Sequence, residues 1–157
     1  MTIIDPAQPS ASTPDGTAII GGESGEGPGP DVMAADTLRG DKLMSSDNEE
    51  LGKISEIMLD VRGGRIAYAV LSSGGFLGIG DTLRAIPWSA LTLDAHEKCF
   101  RLAMTAESVK NAPAFDKNAW PSMVDLEWGR QVHAHYQRRP YWLAAEPTLP
   151  DDPPGPR

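Results

Sequence analysis

A glycine-rich loop is the segment of this sequence that comes closest to a nucleotide-binding motif. Residues 74–80 read Gly-Gly-Phe-Leu-Gly-Ile-Gly. Phosphate-binding loops use glycines so that backbone N–H groups reach the anion at the start of a helix, and a lysine commonly follows. Here no lysine follows, and the next residues have the pattern of a strand. We therefore predict a tight turn between strands that carries three apolar side chains: Phe76, Leu77 and Ile79.

The histidines, serines and acids show no catalytic or metal-binding spacing. His133 and His135 lie two residues apart in a segment with helical periodicity, so their side chains should point about 200° apart. No Gly-x-Ser-x-Gly motif presents a nucleophilic serine. Glu56 and Asp60 fall on what should be the solvated face of a strand. We expect a protein that is not an enzyme, with no catalytic residues, no metal ion and no cofactor.

Aromatic residues near the C-terminus are the clearest indication of a binding role. Half of the ten aromatic residues lie within a segment of 23 residues. Because aromatic side chains are enriched at protein interfaces, they are candidates for partner binding, together with the three apolar side chains of the glycine-rich loop. The alternative, that they pack on the chain's own fold, stays open. These aromatic candidates are Trp120, Trp128, Tyr136, Tyr141 and Trp142.

Strands dominate the middle of the chain. Residues 53–61 alternate, which places Ile57, Leu59 and Val61 on one face of a half-buried strand. Residues 66–72 are apolar on both faces and should form the most buried strand. Residues 83–88 form a further strand, and 91–93 should pair with 100–104. Five or six short strands at this spacing indicate a mainly β fold, a small barrel or sandwich.

Two helices are expected after the strands. Thr105 is a good N-cap for a short helix that must end before Pro113. Pro121 can open a second, amphipathic helix whose apolar residues recur every four positions. That stripe consists of Val124, Trp128, Val132 and Tyr136.

Composition sets both ends of the chain apart. Eleven of the first 31 residues are Pro or Gly, and residues 1–32 and 144–157 carry seven of the eight net negative charges. Such segments bury too little apolar surface to offset the entropy of ordering, so we predict that both are disordered. The near-neutral middle has no basic cluster, which argues against nucleic acid as a partner. The single cysteine, Cys99, is expected to be buried. The sequence shows no signal peptide and no apolar run long enough to span a bilayer, so we expect a cytoplasmic protein.

Several segments together resemble the PRC-barrel family. From residue 38 to residue 112 the matching pieces occur in the family's order, although Asn48 stands in the first turn where the family usually has glycine. The continuation from Phe115 to Trp142 is similar to the C-terminal extension of stand-alone bacterial members. The matching pieces are residues 38–43, 49–54, 63–71, 74–80, 85–91 and 110–113.

The resemblance implies a small, strongly bent β-barrel that serves as a docking and assembly module. Together with the composition of the two ends, it divides the chain into four predicted parts: a disordered tail (1–32), a PRC-barrel domain (33–112), an aromatic-rich helical extension (113–143) and a second disordered tail (144–157). The family includes the cytoplasmic domain of the photosynthetic reaction-centre H subunit, but the transmembrane helix of that subunit has no counterpart here. The expected function is non-catalytic binding of a protein partner or of a second copy. The alternatives are a small-ligand sensor and a reaction-centre-H-like accessory factor.

Overall fold

The computed structural model describes residues 16–21, 31–74 and 82–143, whose backbone forms one eight-stranded sheet and three short α-helices. A single 3-10 turn, Trp88–Ala90, connects two of the strands. The strands are β1 (Ala18–Ile20), β2 (Lys42–Met44), β3 (Glu50–Asp60), β4 (Arg65–Ser73), β5 (Thr82–Pro87), β6 (Leu91–Asp94), β7 (Cys99–Leu102) and β8 (Phe115–Asp116). The helices are α1 (Ala35–Leu38), α2 (Ala106–Lys110) and α3 (Leu126–His135).

The sheet has the strand order β1-β6-β7-β2-β3-β4-β5-β8. Five of its pairings are antiparallel, whereas β2 pairs with β7 and β1 pairs with β6 in parallel. Buried side chains of β2 to β7 belong to one core cluster. Because neighbouring strands lie about 4.8 Å apart, strands this far apart in the order share a core only if the sheet bends strongly. The mainly β, bent-sheet fold is therefore confirmed.

Strand β4 is the centre of the core, as its sequence predicts. The five residues from Ala67 to Leu71 are all buried, with Val70 fully so. The strand lies between β3 and β5, both of which pair with it antiparallel. A strand with apolar residues on both faces must be covered on both faces. Here the barrel core and the C-terminal helix provide this cover.

The ladder between β3 and β4 contains two irregularities that change which side chains are buried. The register shifts between Ile54 and Glu56 and again between Met58 and Leu59. A shift of one residue exchanges the two faces of a strand. The predicted buried face of Ile57, Leu59 and Val61 is wrong for two of its members. Leu59 is 62% exposed and Val61, in the turn after β3, is 86% exposed, whereas Ile54 is buried.

Strand β1 lies within residues 1–32, for which the composition predicts a disordered tail. This strand is therefore not predicted from the sequence. Its residues Ala18, Ile19 and Ile20 pair with Thr92, Leu93 and Asp94 of β6. The rest of residues 1–32, apart from 16, 17, 21, 31 and 32, lies outside the described residues, as does all of 144–157.

Polar side chains fix the helix starts and the turns. Thr105 caps α2 by accepting a hydrogen bond from the Ser108 N–H, as predicted. Helix α3 begins later than the Pro121 start that the sequence suggests, because Asp125 accepts from the N–H groups of Glu127 and Trp128. Asn48 adopts a left-handed conformation with φ of 62°, which asparagine tolerates better than most residues.

Asp94 holds the turn between β6 and β7. Its carboxylate accepts hydrogen bonds from the backbone N–H groups of His96 and Glu97 and from the Arg101 guanidinium. These donors favour the ionised form and lower the pKa of Asp94 below its usual range. The hairpin predicted over residues 91–104 is thus confirmed, with a charged clasp at its tip.

A charge placed in β4 should unfold the domain. Val70→Asp would bury a carboxylate without a partner, at a cost of several kcal/mol against a total stability of about 5–15 kcal/mol. Val61→Asp is the matched control, since the same substitution there puts the charge in solvent. Circular dichroism during urea unfolding should show a cooperative transition for Val61→Asp and none for Val70→Asp. A cooperative Val70→Asp protein would contradict the central position of β4.

Candidate binding surface

The turn between β3 and β4 is shaped by one carboxylate. Asp60 accepts hydrogen bonds from the Gly63 N–H and from the Arg65 guanidinium, at 3.1 and 2.9 Å. These donors lower the pKa of Asp60, so the carboxylate is charged at neutral pH. Gly64 takes the left-handed conformation, with φ of 66°. Gly63 instead leaves room for the Asp60 carboxylate, which a Cβ at that position would strike.

Exposed apolar side chains gather beside this turn in a surface groove of about 320 Å³. Val61 and Val124 are each 86% exposed, and Leu59 is 62% exposed. Met58 and Met123 line the same groove, and Tyr68 and Tyr141 contribute to its wall. We call this surface the hairpin groove. Its apolar lining residues are Met58, Leu59, Val61, Ala67, Tyr68, Met123, Val124 and Tyr141.

The charged residues in and beside the hairpin groove do not all form ion pairs. Asp60 and Arg65 neutralise each other as an ion pair, and the Arg65 guanidinium lies 5.3 Å from the centre of the Tyr141 ring. Arg62 also lines the groove and forms no ion pair with any residue in the described ranges. Among the described residues, the groove is therefore an apolar surface whose lining includes one positive charge without an ion pair.

The aromatic residues of the C-terminal segment pack on the chain's own barrel around Tyr68. Trp128 of α3 and Tyr141 meet the Tyr68 ring edge-on, each with 5.6 Å between ring centres. Trp142 in turn meets Tyr141 and His133, at 5.1 and 5.4 Å. The segment from 126 to 142 therefore covers β4 as part of the same core. Burial in this cluster raises the pKa of Tyr68, so its hydroxyl stays protonated.

Residues 30–106 match the family model described as PRC-barrel domain. The chain carries a PRC-barrel domain. A search of curated proteins found no match. Within residues 16–21, 31–74 and 82–143, no helix of the PRC-barrel chain is long and apolar enough to cross a membrane.

The candidate partner-binding residues differ in how much surface they offer. Tyr136 lies in the core at 4% exposure, and Trp128, Tyr141 and Trp142 are half-buried. Trp120 is 41% exposed, although its ring packs on Phe115 and its indole N–H donates to the Lys117 carbonyl. Phe76, Leu77 and Ile79 lie outside the described residues. The structure brings Trp128, Tyr141 and Trp142 together and leaves Trp120 apart, beside β8.

His133 is a buried residue of the PRC-barrel chain that the polar pattern of α3 conceals. Its Nδ1 lies 2.7 Å from the Gly129 carbonyl oxygen, which accepts, so Nδ1 carries the hydrogen. Its Nε2 is left to accept from the Tyr141 N–H, at 3.4 Å. Neutral His133 thereby joins α3 to residues 141–142. Its burial among the rings of Tyr68, Tyr141 and Trp142 lowers the pKa of the imidazole.

Gly129 allows the aromatic rings to approach α3 closely. A Cβ at this position would lie 2.6 Å from Cη2 of Trp142 and 3.2 Å from the Tyr68 hydroxyl. The spacing of Trp128, Val132 and Tyr136 indicates the buried face of α3, but nothing in it shows that Gly129 and His133 contact the C-terminal segment. One available signal was a glycine in the middle of an otherwise helical pattern, which commonly has a packing reason.

Acid should loosen the C-terminal cover through His133. The unfolded chain takes up a proton near the ordinary pKa of 6.5, while the folded imidazole resists it until lower pH. Stability is therefore full above about pH 6.5 and falls as pH decreases, by up to about 1.4 kcal/mol per pH unit. Urea midpoints between pH 7 and 5 should show this slope, and His133→Gln should remove it.

His135→Gln is the matched control for this measurement. The His135 ring lies two residues away on α3 and donates to the Ser108 carbonyl instead of contacting residues 141–142. This variant should keep the slope, because His133 is still present. An unchanged slope in His133→Gln would show that another group causes the pH dependence.

Gly129→Ala should destabilise the domain, although alanine is usually the better helix residue by about 1 kcal/mol. The added methyl would force Trp142 away from α3. Trp142→Ala removes the ring that the methyl strikes, so Gly129→Ala made in that background should cost markedly less. Thermal unfolding of the four proteins measures the coupling. Equal costs in both backgrounds would mean that the Trp142 contact does not constrain position 129.

Proposed function

We propose that this chain is a non-catalytic protein-binding module and that the hairpin groove is its docking surface. The observation that carries the proposal is the concentration of exposed apolar side chains. Three of the four most exposed large apolar residues in the described part of the chain line this one groove: Leu59, Val61 and Val124. Exposed apolar patches of this kind are typical of interaction sites.

The arrangement of the groove residues supports a role in binding and not a mere defect in the packing of the domain. Its wall is rigid, because Tyr68 and Tyr141 belong to the aromatic cluster that covers β4. Part of its lining is adaptable, because Met58 and Met123 are unbranched and polarizable side chains that fit partners of varied shape. A rigid wall keeps the entropic cost of association low, while methionines allow close contact.

The charge of the groove indicates the chemistry of the partner. Arg62 stands at the edge of an apolar surface and has no ion pair within the described residues. A protein segment with an apolar face and a carboxylate beside it would match both features. We therefore propose another protein with such an amphipathic, locally acidic segment as the partner.

The proposal of binding without catalysis is supported by the way the barrel is filled. The interior cluster consists of aliphatic and aromatic side chains from β2 to β7 and the helices. Among the described residues, the buried polar side chains of Ser45 and Asp94 hold turns, and His133 joins α3 to residues 141–142. These features support our placing the function on the outer surface of the domain.

Site-specific photo-crosslinking in the native cells tests the docking surface. A photoreactive amino acid at position 61 should give a defined adduct with one protein, and Val124→Asp in the same chain should abolish it. The matched control places the same amino acid at Val32, which is also strongly exposed but does not line the groove.

Adducts of equal yield from positions 61 and 32, or none from position 61, would contradict the proposal. An adduct with the mass of two copies of this chain would instead assign the groove to self-association. Circular dichroism of Val124→Asp must show an unchanged fold, which we expect because that side chain is 86% exposed.

A further inference from the structure

The edge of the sheet at β6 is occupied by a short segment from a distant part of the same chain. Residues Ala18–Ile20 lie parallel to Thr92–Asp94, 74 residues further along. The Ile20 carbonyl accepts from the Ala95 N–H at 2.9 Å, and the Thr17 hydroxyl donates to the Trp88 carbonyl at 2.8 Å. Without this segment, β6 would be an open edge strand, since its other neighbour is β7.

The side chains of β1 indicate which kind of strand can pair with the β6 edge. Ile19 pairs with the buried Leu93 and packs against the core cluster, while the neighbouring Ile20 is 36% exposed. The edge therefore takes an extended strand that runs parallel to β6, with an aliphatic β-branched side chain at its inward position. Backbone pairing supplies affinity, and the inward pocket supplies selectivity.

The same segment is weakly held. Only three residues pair, and Ile19 is its one side chain that packs against the core cluster. Glycines at positions 16, 21 and 22 flank it, and the sequence up to residue 30 contains three more glycines and two prolines. A cleft of about 300 Å³ separates Thr17 and Ile19 from Leu38 and Ile66, so the segment is not tightly packed from that side. Short elements with few buried contacts open at low free-energy cost.

We propose that the β6 edge is a second binding site, which takes an extended segment of another protein, and that residues 17–20 occupy it in the absence of that partner. The partner segment carries a small residue followed by two β-branched aliphatic residues, as in Thr17-Ala18-Ile19-Ile20. It enters parallel to β6 and replaces β1. This site does not include the hairpin groove and does not depend on its function.

The covalent connection of residues 17–20 to the domain determines how tightly a partner must bind in order to displace them. Because residues 17–20 belong to the same chain, they compete for the edge at an effective concentration on the order of millimolar. A free peptide with the chain's own sequence therefore binds the unmodified protein poorly, and weakening the tethered segment reveals the site. A natural partner exceeds the tethered segment by pairing over more than three residues.

Two neighbouring isoleucines provide a matched pair of variants. Ile19→Asp removes the inward side chain and frees the edge, whereas Ile20→Asp makes the same change at the exposed position. The probe is a fluorescein-labelled peptide of residues 14–22, added to the full chain and followed by fluorescence anisotropy. We expect Ile19→Asp to bind it at least about tenfold more tightly than the unmodified chain and than Ile20→Asp.

A second peptide tests the proposed inward position. The same probe with Asp in place of Ile19 should not bind to any of the three proteins. Should Ile19→Asp fail to fold by circular dichroism, Ile19→Ala replaces it, and the same order of affinities is expected.

A folded Ile19 variant that binds the probe no better than the unmodified chain would overturn the proposal. A dimer of the unmodified chain that Ile19→Asp abolishes would also overturn it, because the edge would then belong to a second copy. Val61→Asp should leave probe binding to the Ile19 variant unchanged, so failure at one surface is distinguishable from failure at the other.

Discussion

The double-sided burial of β4 is the constraint on which the rest of this structure depends. Its residues from Ala67 to Leu71 are all buried, so neither face can be left to water. Strands β3 and β5 satisfy its backbone on both sides. The side chain of Tyr68 is covered by Trp128 and His133 of α3 and by Tyr141, through three contacts between aromatic rings. The helical extension is consequently part of the folded unit, although the family match ends at residue 106.

This cover also explains where the candidate surface lies. The extension that reaches Tyr68 passes the end of the β3–β4 hairpin, and residues 123 and 124 stand beside Leu59 and Val61. Leu59 lies at the second irregularity of the β3–β4 ladder, where β4 carries the extra residue. The groove therefore combines exposed residues at the end of this hairpin with residues from the path of the C-terminal segment.

The sequence predicts those elements whose pattern reflects burial directly. The continuous apolar run of β4, the β6–β7 hairpin and the Thr105 cap each have a local physical signature, and each is present. The exposure of Leu59 was not predictable from alternation, because alternation identifies the faces of a strand and not how far the core beneath one face extends. Strand β1 was missed for a related reason. Its short Ala-Ile-Ile run acquires a partner only when β6 is in place, 74 residues away.

The residues of the aromatic cluster show the same limit. The helical period finds Trp128, Val132 and Tyr136, but it wrongly includes Val124, which precedes α3 and is 86% exposed. It also leaves His133 on the polar side. His133 is buried because the chain returns over α3 after Tyr136, and no local pattern encodes that return. Gly129 is explained only by Trp142, a residue beyond the end of the helix.

The parallel pairing of β2 with β7 has a consequence for how the domain folds. Lys42 and Cys99 are neighbours in the sheet but lie 57 residues apart in the chain. The hairpins β3–β4, β4–β5 and β6–β7 close short loops and lose little chain entropy, whereas this pairing closes a much longer loop and costs more. During synthesis β2 stays without its second neighbour until β7 has left the ribosome. Completion of the sheet therefore requires the strands β2 to β5 and the β6–β7 hairpin to be present together.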